Sequence, residues 1–124
     1  MATPIDQNFL ARLKALNEEF AAGVPATVAR LRSQRKLFDP RAPNAGALKE
    51  IHEILHTIAG SAATFGFRTF GQQARNLEHS LRVLKVFEHT GLADWDRWLD
   101  ALDQFIAWAE LDARASLYQA RVLS

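Results

Sequence analysis

The chain has no cysteine, which excludes disulfides and thiolate metal sites and gives no reason to place it in an oxidising compartment. It has little net charge: 15 Lys and Arg against 14 Asp and Glu leave +1, so there is no basic excess to mark a nucleic-acid ligand. Long apolar runs are missing. The longest charge-free stretch, Ile54 to Phe67, is too short and too rich in small and polar residues to span a bilayer. The start, MATPIDQNF, lacks the basic and then apolar segments of a signal peptide, so a cytoplasmic protein is expected. Two-residue alternation of apolar and polar positions is also lacking, which argues against strands.

What remains is helical. The 124 residues, 48% hydrophobic and 23% charged, suit one globular domain over 1–124. Thr3-Pro4 reads as an N-cap and first helical position, followed by a stripe of Phe9, Leu13, Leu16 and Phe20 that ends near Gly23. Val24-Pro25 predicts the restart of a second, short helix with Val28 and Leu31 inside and Arg30, Arg32, Arg35 and Lys36 in water. The prolines of Asp39 to Asn44 mark a loop, with Asn44 capping the next helix. That helix carries Leu48, Ile51, Leu55, Ile58, Ala62 and Phe65 on one face, and Gly66 stops it. Another runs from Arg68 to near Phe87 with Phe70, Ala74, Leu77, Leu81 and Leu84 inside, and Thr69 with Gln72 forms a candidate capping box. After Gly91 the last helix buries Leu92, Trp95, Leu99, Leu102, Ile106 and Ala109 and extends toward Leu117. Trp95, Trp98 and Trp108 are read as packing residues, although Trp98 falls off the main stripe. Amphipathic helices with short connections pack as an antiparallel four-helix bundle, here with an additional short N-terminal helix.

One stretch departs from an ordinary helix. Residues 56–66, HTIAGSAATFG, set a histidine beside Gly60, Ser61 and several alanines. An interior glycine costs a helix about 0.5–1 kcal/mol relative to Ala. At 100° per residue His56 falls on the solvent side of its helix, with Gly60 and Ala63 along the same face, Ala59 between them and the core, and His52 on the flank. An exposed helical face is ordinarily filled with Lys, Glu and Gln. Bare backbone around an imidazole instead leaves room for another protein's active site.

These residues resemble histidine-containing phosphotransfer (HPt) domains. The pattern is a histidine, a Gly-Ser shortly after it, a glycine ten residues on, and Leu-Glu in the next helix; here it is His56, Gly60-Ser61, Gly66 and Leu77-Glu78. Thr57-Ile58 and Thr64-Phe65-Gly66-Phe67 look especially like the N-terminal phosphotransfer domain of chemotaxis kinases. The resemblance implies a phosphoacceptor at His56 and an imidazole-orienting acid at Glu78. It also implies a partner surface around Ala59, Gly60 and Ala63, with a histidine kinase or response regulator receiver as partner. The chain would need no cofactor or metal of its own, since magnesium comes with the partner, and no ATP site. It is expected to be monomeric. The family lysine three residues after the histidine is replaced by Ala59, and Arg75 or Arg82, on one stripe with Glu78, is expected to supply that charge, with Arg68 as a further partner contact. A competing match is H-E-x-x-H at His52, Glu53 and His56, a zinc-protease pattern whose extension fails at Ala59 and Ala62. A third reading is a docking module that is never phosphorylated. His79 and His89 have no constellation around them.

Overall fold

A computed structural model describes residues 4–42, 44–86 and 91–118. Four helices follow in order: α1 (Pro4–Leu37), α2 (Ala45–Ser61), α3 (Arg68–Val86) and α4 (Leu92–Asp112), with a 3₁₀ turn, Ala62–Phe65, between α2 and α3. Cross-helix partners run in opposite numerical directions. Arg30 meets Glu50 while Phe20 meets Phe65, His52 meets Lys85 while Ala59 meets Arg75, and Phe70 meets Phe105 while Leu77 meets Trp98. Neighbouring helices are therefore antiparallel, and the architecture is an all-α bundle.

The predicted break at Gly23 does not occur. α1 runs unbroken through Pro25 for 34 residues, so the expected short extra helix is its second half. Proline in a helix interior removes one hydrogen bond and costs about 3 kcal/mol. The reason the helix survives lies in register: Phe20, Val24, Val28 and Leu31 continue one stripe across the proline, and the last three are buried. Pro25 itself faces water. At 1.5 Å per residue α1 is about 51 Å long and α2 about 26 Å. The first turns of α1 therefore have little to pack on. Phe9 and Leu16, predicted inside, are exposed, while Phe20 stacks on Phe65 at 5.0 Å.

Local chemistry sets the other boundaries. The Asn44 side chain accepts a hydrogen bond from the Ala47 N–H at 3.1 Å, capping α2. Gly66 adopts φ 89, the left-handed conformation that ends the 3₁₀ turn. Phe65 thus belongs to that turn rather than to the end of α2. The Gly91 N–H donates to Asp94 at 3.1 Å, opening α4. Thr69 does not cap α3; its hydroxyl donates to the Ser116 carbonyl at 2.9 Å and ties the segment after α4 to the start of α3. α4 ends at Asp112, and Leu117 and Leu92 are both exposed. The predicted fade of α3 near Phe87 lies outside the described residues.

The core centres on Phe70 and Phe105, stacked at 5.4 Å and fully buried, with Leu31, Ile51, Leu55, Leu81, Leu102 and Ile106 around them. Each such side chain contributes about 1.5–3 kcal/mol. Trp98 is part of this core: it is buried, and its indole N–H donates to the Leu77 carbonyl at 3.0 Å. Arginines predicted to face water tie α1 to α4 by two-pronged pairs, Arg32 with Glu110 at 2.6 and 2.7 Å and Arg35 with Asp103 at 2.8 and 3.2 Å. Among the described residues no helix is long and apolar enough to cross a membrane.

Candidate functional site

The site is built where α2 lies against α3. On α2, residues 51, 54, 55 and 58 are buried, which turns His56 outward with 67% of its side chain exposed. On α3, Leu77 and Leu81 point into the core and leave Glu78 at the seam with α2, only 6% exposed. The two meet closely: His56 Nδ1 lies 2.6 Å from Glu78 Oε2. An ionised carboxylate only accepts, so Nδ1 carries the proton and donates it to Glu78. The lone pair is thereby left on Nε2, to which no hydrogen bond within the described residues is made.

Glu78 Oε2 has two further partners. Arg82, one turn along α3, donates through Nη2 at 2.9 Å, and His52 Nε2 lies at 3.3 Å. Burial raises the Glu78 pKa, but the hydrogen bond from His56, the charges of His56 and Arg82, and the hydrogen bond from His52 together outweigh it and hold the carboxyl below the ordinary glutamate value. Glu78 is thus kept as an anion, able to steady positive charge on the imidazole beside it.

Of the other predicted positions, Gly60 and Ala63 are exposed, and a Cβ added at Gly60 would touch nothing within 4 Å. Ala59 is a correction. It is 7% exposed and part of the core cluster, because its methyl lies on the inner side of α2 with its neighbour Ile58 and not on the outer face. Its side chain therefore gives a partner little surface to touch. Its carbonyl, in the last turn of α2 where intrahelical donors run out, accepts from Arg75 Nη2 at 3.0 Å. The guanidinium of Arg75 thereby lies one helical turn beyond His56. Arg82 and Arg75 are brought to this seam, whereas Arg68 is an exposed residue at the start of α3 with no hydrogen bond or ion pair to the described residues.

The zinc reading meets a geometric objection. His52 Nε2 faces Glu78, and His52 Nδ1 lies 3.1 Å from Lys85 Nζ, so both ring nitrogens are engaged, while Glu53 points to solvent. Among the described residues no group of three or more His, Asp or Glu side chains is arranged to hold a metal ion. His52 and Lys85 are the residues of this seam to which the phosphotransfer reading of the sequence gave no part. Spacing could have found them, since His52 precedes His56 by one turn and Lys85 follows Glu78 by two. Around the ring is a shallow depression of about 470 Å³ lined by His52, Glu53, His56, Thr57, Glu78 and Arg82.

An up-and-down helical bundle with an exposed, acid-oriented histidine on its second helix is the form of a phosphotransfer module. The family model described as Hpt domain matches residues 8–113, and the chain belongs to that family. No curated protein and no solved structure matches it. Membership implies histidine phosphotransfer in two-component signalling, in a module that exchanges phosphoryl groups with kinases and response regulators and has no ATP-binding or hydrolytic site.

Proposed function

We propose that this chain carries a phosphoryl group on Nε2 of His56, received from a histidine kinase or a receiver aspartate and passed to a response regulator. The observation that carries the reading is the 2.6 Å hydrogen bond from His56 Nδ1 to a buried carboxylate, with Nε2 left toward solvent. In the transfer the Nε2 lone pair attacks phosphorus, an N–P bond forms, and the P–O bond to the donor's carboxylate or nucleotide breaks, its electrons leaving with that oxygen. The ring becomes cationic, and Glu78 stabilises it through Nδ1–H. Phosphoryl transfer is mainly positioning and charge neutralisation, so little more is needed from this side. The partner supplies magnesium and its own acidic pocket.

Arg75 and Arg82 bring two cations to the seam and stand in for the lysine that Ala59 replaces. Gly60 and Ala63 leave the flank of His56 low enough for a receiver's active site to approach. Beside them a cleft of about 340 Å³ between α1 and α2, lined by Leu16, Phe20, Thr57, Ser61 and Phe65 among others, gives the partner an apolar edge to rest on. The protein acts as a cytoplasmic monomer in this reading, with Arg68 at the border of the contact.

The test is incubation with a labelled kinase or receiver phosphodonor. Label that is acid-labile, base-stable and lost in H56Q supports the proposal. Label retained in H56Q overturns it, as does an unlabelled wild-type chain whose effect on its partner survives in H56Q, which would make it a docking module.

A further inference from the structure

Glu78 is aimed at His56 by more than its own packing. Lys85 Nζ lies 3.1 Å from His52 Nδ1, and His52 Nε2 lies 3.3 Å from Glu78 Oε2, the same oxygen that receives His56 Nδ1–H. The directions of these bonds follow from chemistry. An ammonium has no lone pair, so Lys85 donates and His52 Nδ1 accepts. Nδ1 of His52 is then unprotonated, the ring is the neutral Nε2–H tautomer, and its one proton points at Glu78.

We propose that Lys85 and His52 form a positioning relay that holds the Glu78 carboxylate and, through it, keeps His56 in the Nδ1–H tautomer whose Nε2 can attack phosphorus. This rests on His56 being the phosphoacceptor. His52 touches neither donor nor phosphoryl group in this arrangement; it acts through Glu78. Its side chain is 26% exposed against 67% for His56, and both of its nitrogens are occupied, so the relay also accounts for two histidines one turn apart having different employment. A neutral donor suits the place. It fixes the direction of the carboxylate without spending the negative charge that His56 needs when its ring turns cationic. Lys85 is exposed, with its charge kept one ring away from Glu78. Arg82, 58% exposed, holds the same oxygen from the solvent side, leaving His52 as its half-buried partner.

The experiment compares wild type, H52L, H52Q and K85M in two readouts: the His56 tautomer from ring-nitrogen NMR shifts of the unphosphorylated protein, and the rate of phosphorylation by potassium phosphoramidate, a donor that needs no partner protein. Wild type is expected in the Nδ1–H form. H52L removes donor and acceptor together and should mix the two His56 tautomers and slow labelling by about tenfold, the low end for losing a hydrogen bond to a charged group, because Arg82 still holds Glu78. H52Q retains a donor for Glu78 and an acceptor for Lys85 and should stay within about twofold of wild type. K85M frees the His52 ring to turn and should shift the tautomer in the same sense as H52L, which keeps the test intact where H52L fails to fold. An unchanged tautomer and rate in both H52L and K85M would overturn the relay. A wild-type chain that takes no label while H52L or K85M still shifts the His56 tautomer would remove the phosphocarrier reading and leave the relay standing.

Discussion

Replacing Glu78 by Gln isolates what the carboxylate charge does, because the amide keeps the shape and can still accept from His56. Glu78 is 6% exposed, so water replaces little of what is lost. The 2.6 Å bond from His56 Nδ1 ends on an anion. As the ring turns cationic on phosphorylation, that bond joins two opposite charges, at the upper end of the about 1.5–3 kcal/mol class, whereas with Gln only the donor is charged and the bond falls at the lower end. The difference, about 1–1.5 kcal/mol, corresponds to about a tenfold rate at 1.36 kcal/mol per decade. Folding stability should change less, since the variant no longer buries a charge, and the pair with Arg82, whose side chain is 58% exposed, contributes little. E78Q is therefore expected to take phosphate from phosphoramidate about ten times more slowly than wild type, followed by intact mass spectrometry, with a melting temperature close to wild type. Equal rates in the two proteins, at equal stability, would refute the role given to Glu78.

G60A should raise stability by about 0.5–1 kcal/mol in thermal melts, because α2 gains a better helix former where an added Cβ meets nothing. G60W should melt like wild type and accept phosphate from phosphoramidate normally, yet lose transfer to a receiver domain whose approach the indole obstructs. P25A should stabilise α1 by about 1–3 kcal/mol, read as a raised unfolding midpoint, since the exposed proline has little packing to lose. G66A should cost about 1–2 kcal/mol by forcing a Cβ into the left-handed conformation. Because the Glu78 carboxyl lies below its unfolded value, its contribution is present above roughly pH 4.3 and is lost as pH falls through the folded value. Denaturant titrations of wild type should therefore weaken in that acid range, and those of E78Q less so.

The helices were legible because burial follows the 3.6-residue period wherever a partner helix exists. The stripes through Ile51, Leu55 and Ile58 and through Phe70, Ala74, Leu77 and Leu81 are buried where the pattern put them. Periodicity is blind to how long a partner is, which is why Phe9 and Leu16 carry an apolar stripe that nothing covers. It is equally blind to proline when the stripe continues in register beyond it, as from Phe20 to Leu31. At the seam, the outward face of His56 could be read from angle alone. The buried methyl of Ala59 could not, because a small residue at a stripe's edge suits either side. Trp98 was harder still: its place depends on the Leu77 carbonyl, a backbone atom that no side-chain pattern records.

That indole bond has a consequence for the chemistry. A helix held by side chains alone can roll about its axis by sliding over its neighbours. α3 is instead pinned through its own peptide group, at the residue immediately before the acid. Rolling α3 would break the pin, so the angular aim of Glu78 is set from the far helix, by a tryptophan that never meets the imidazole.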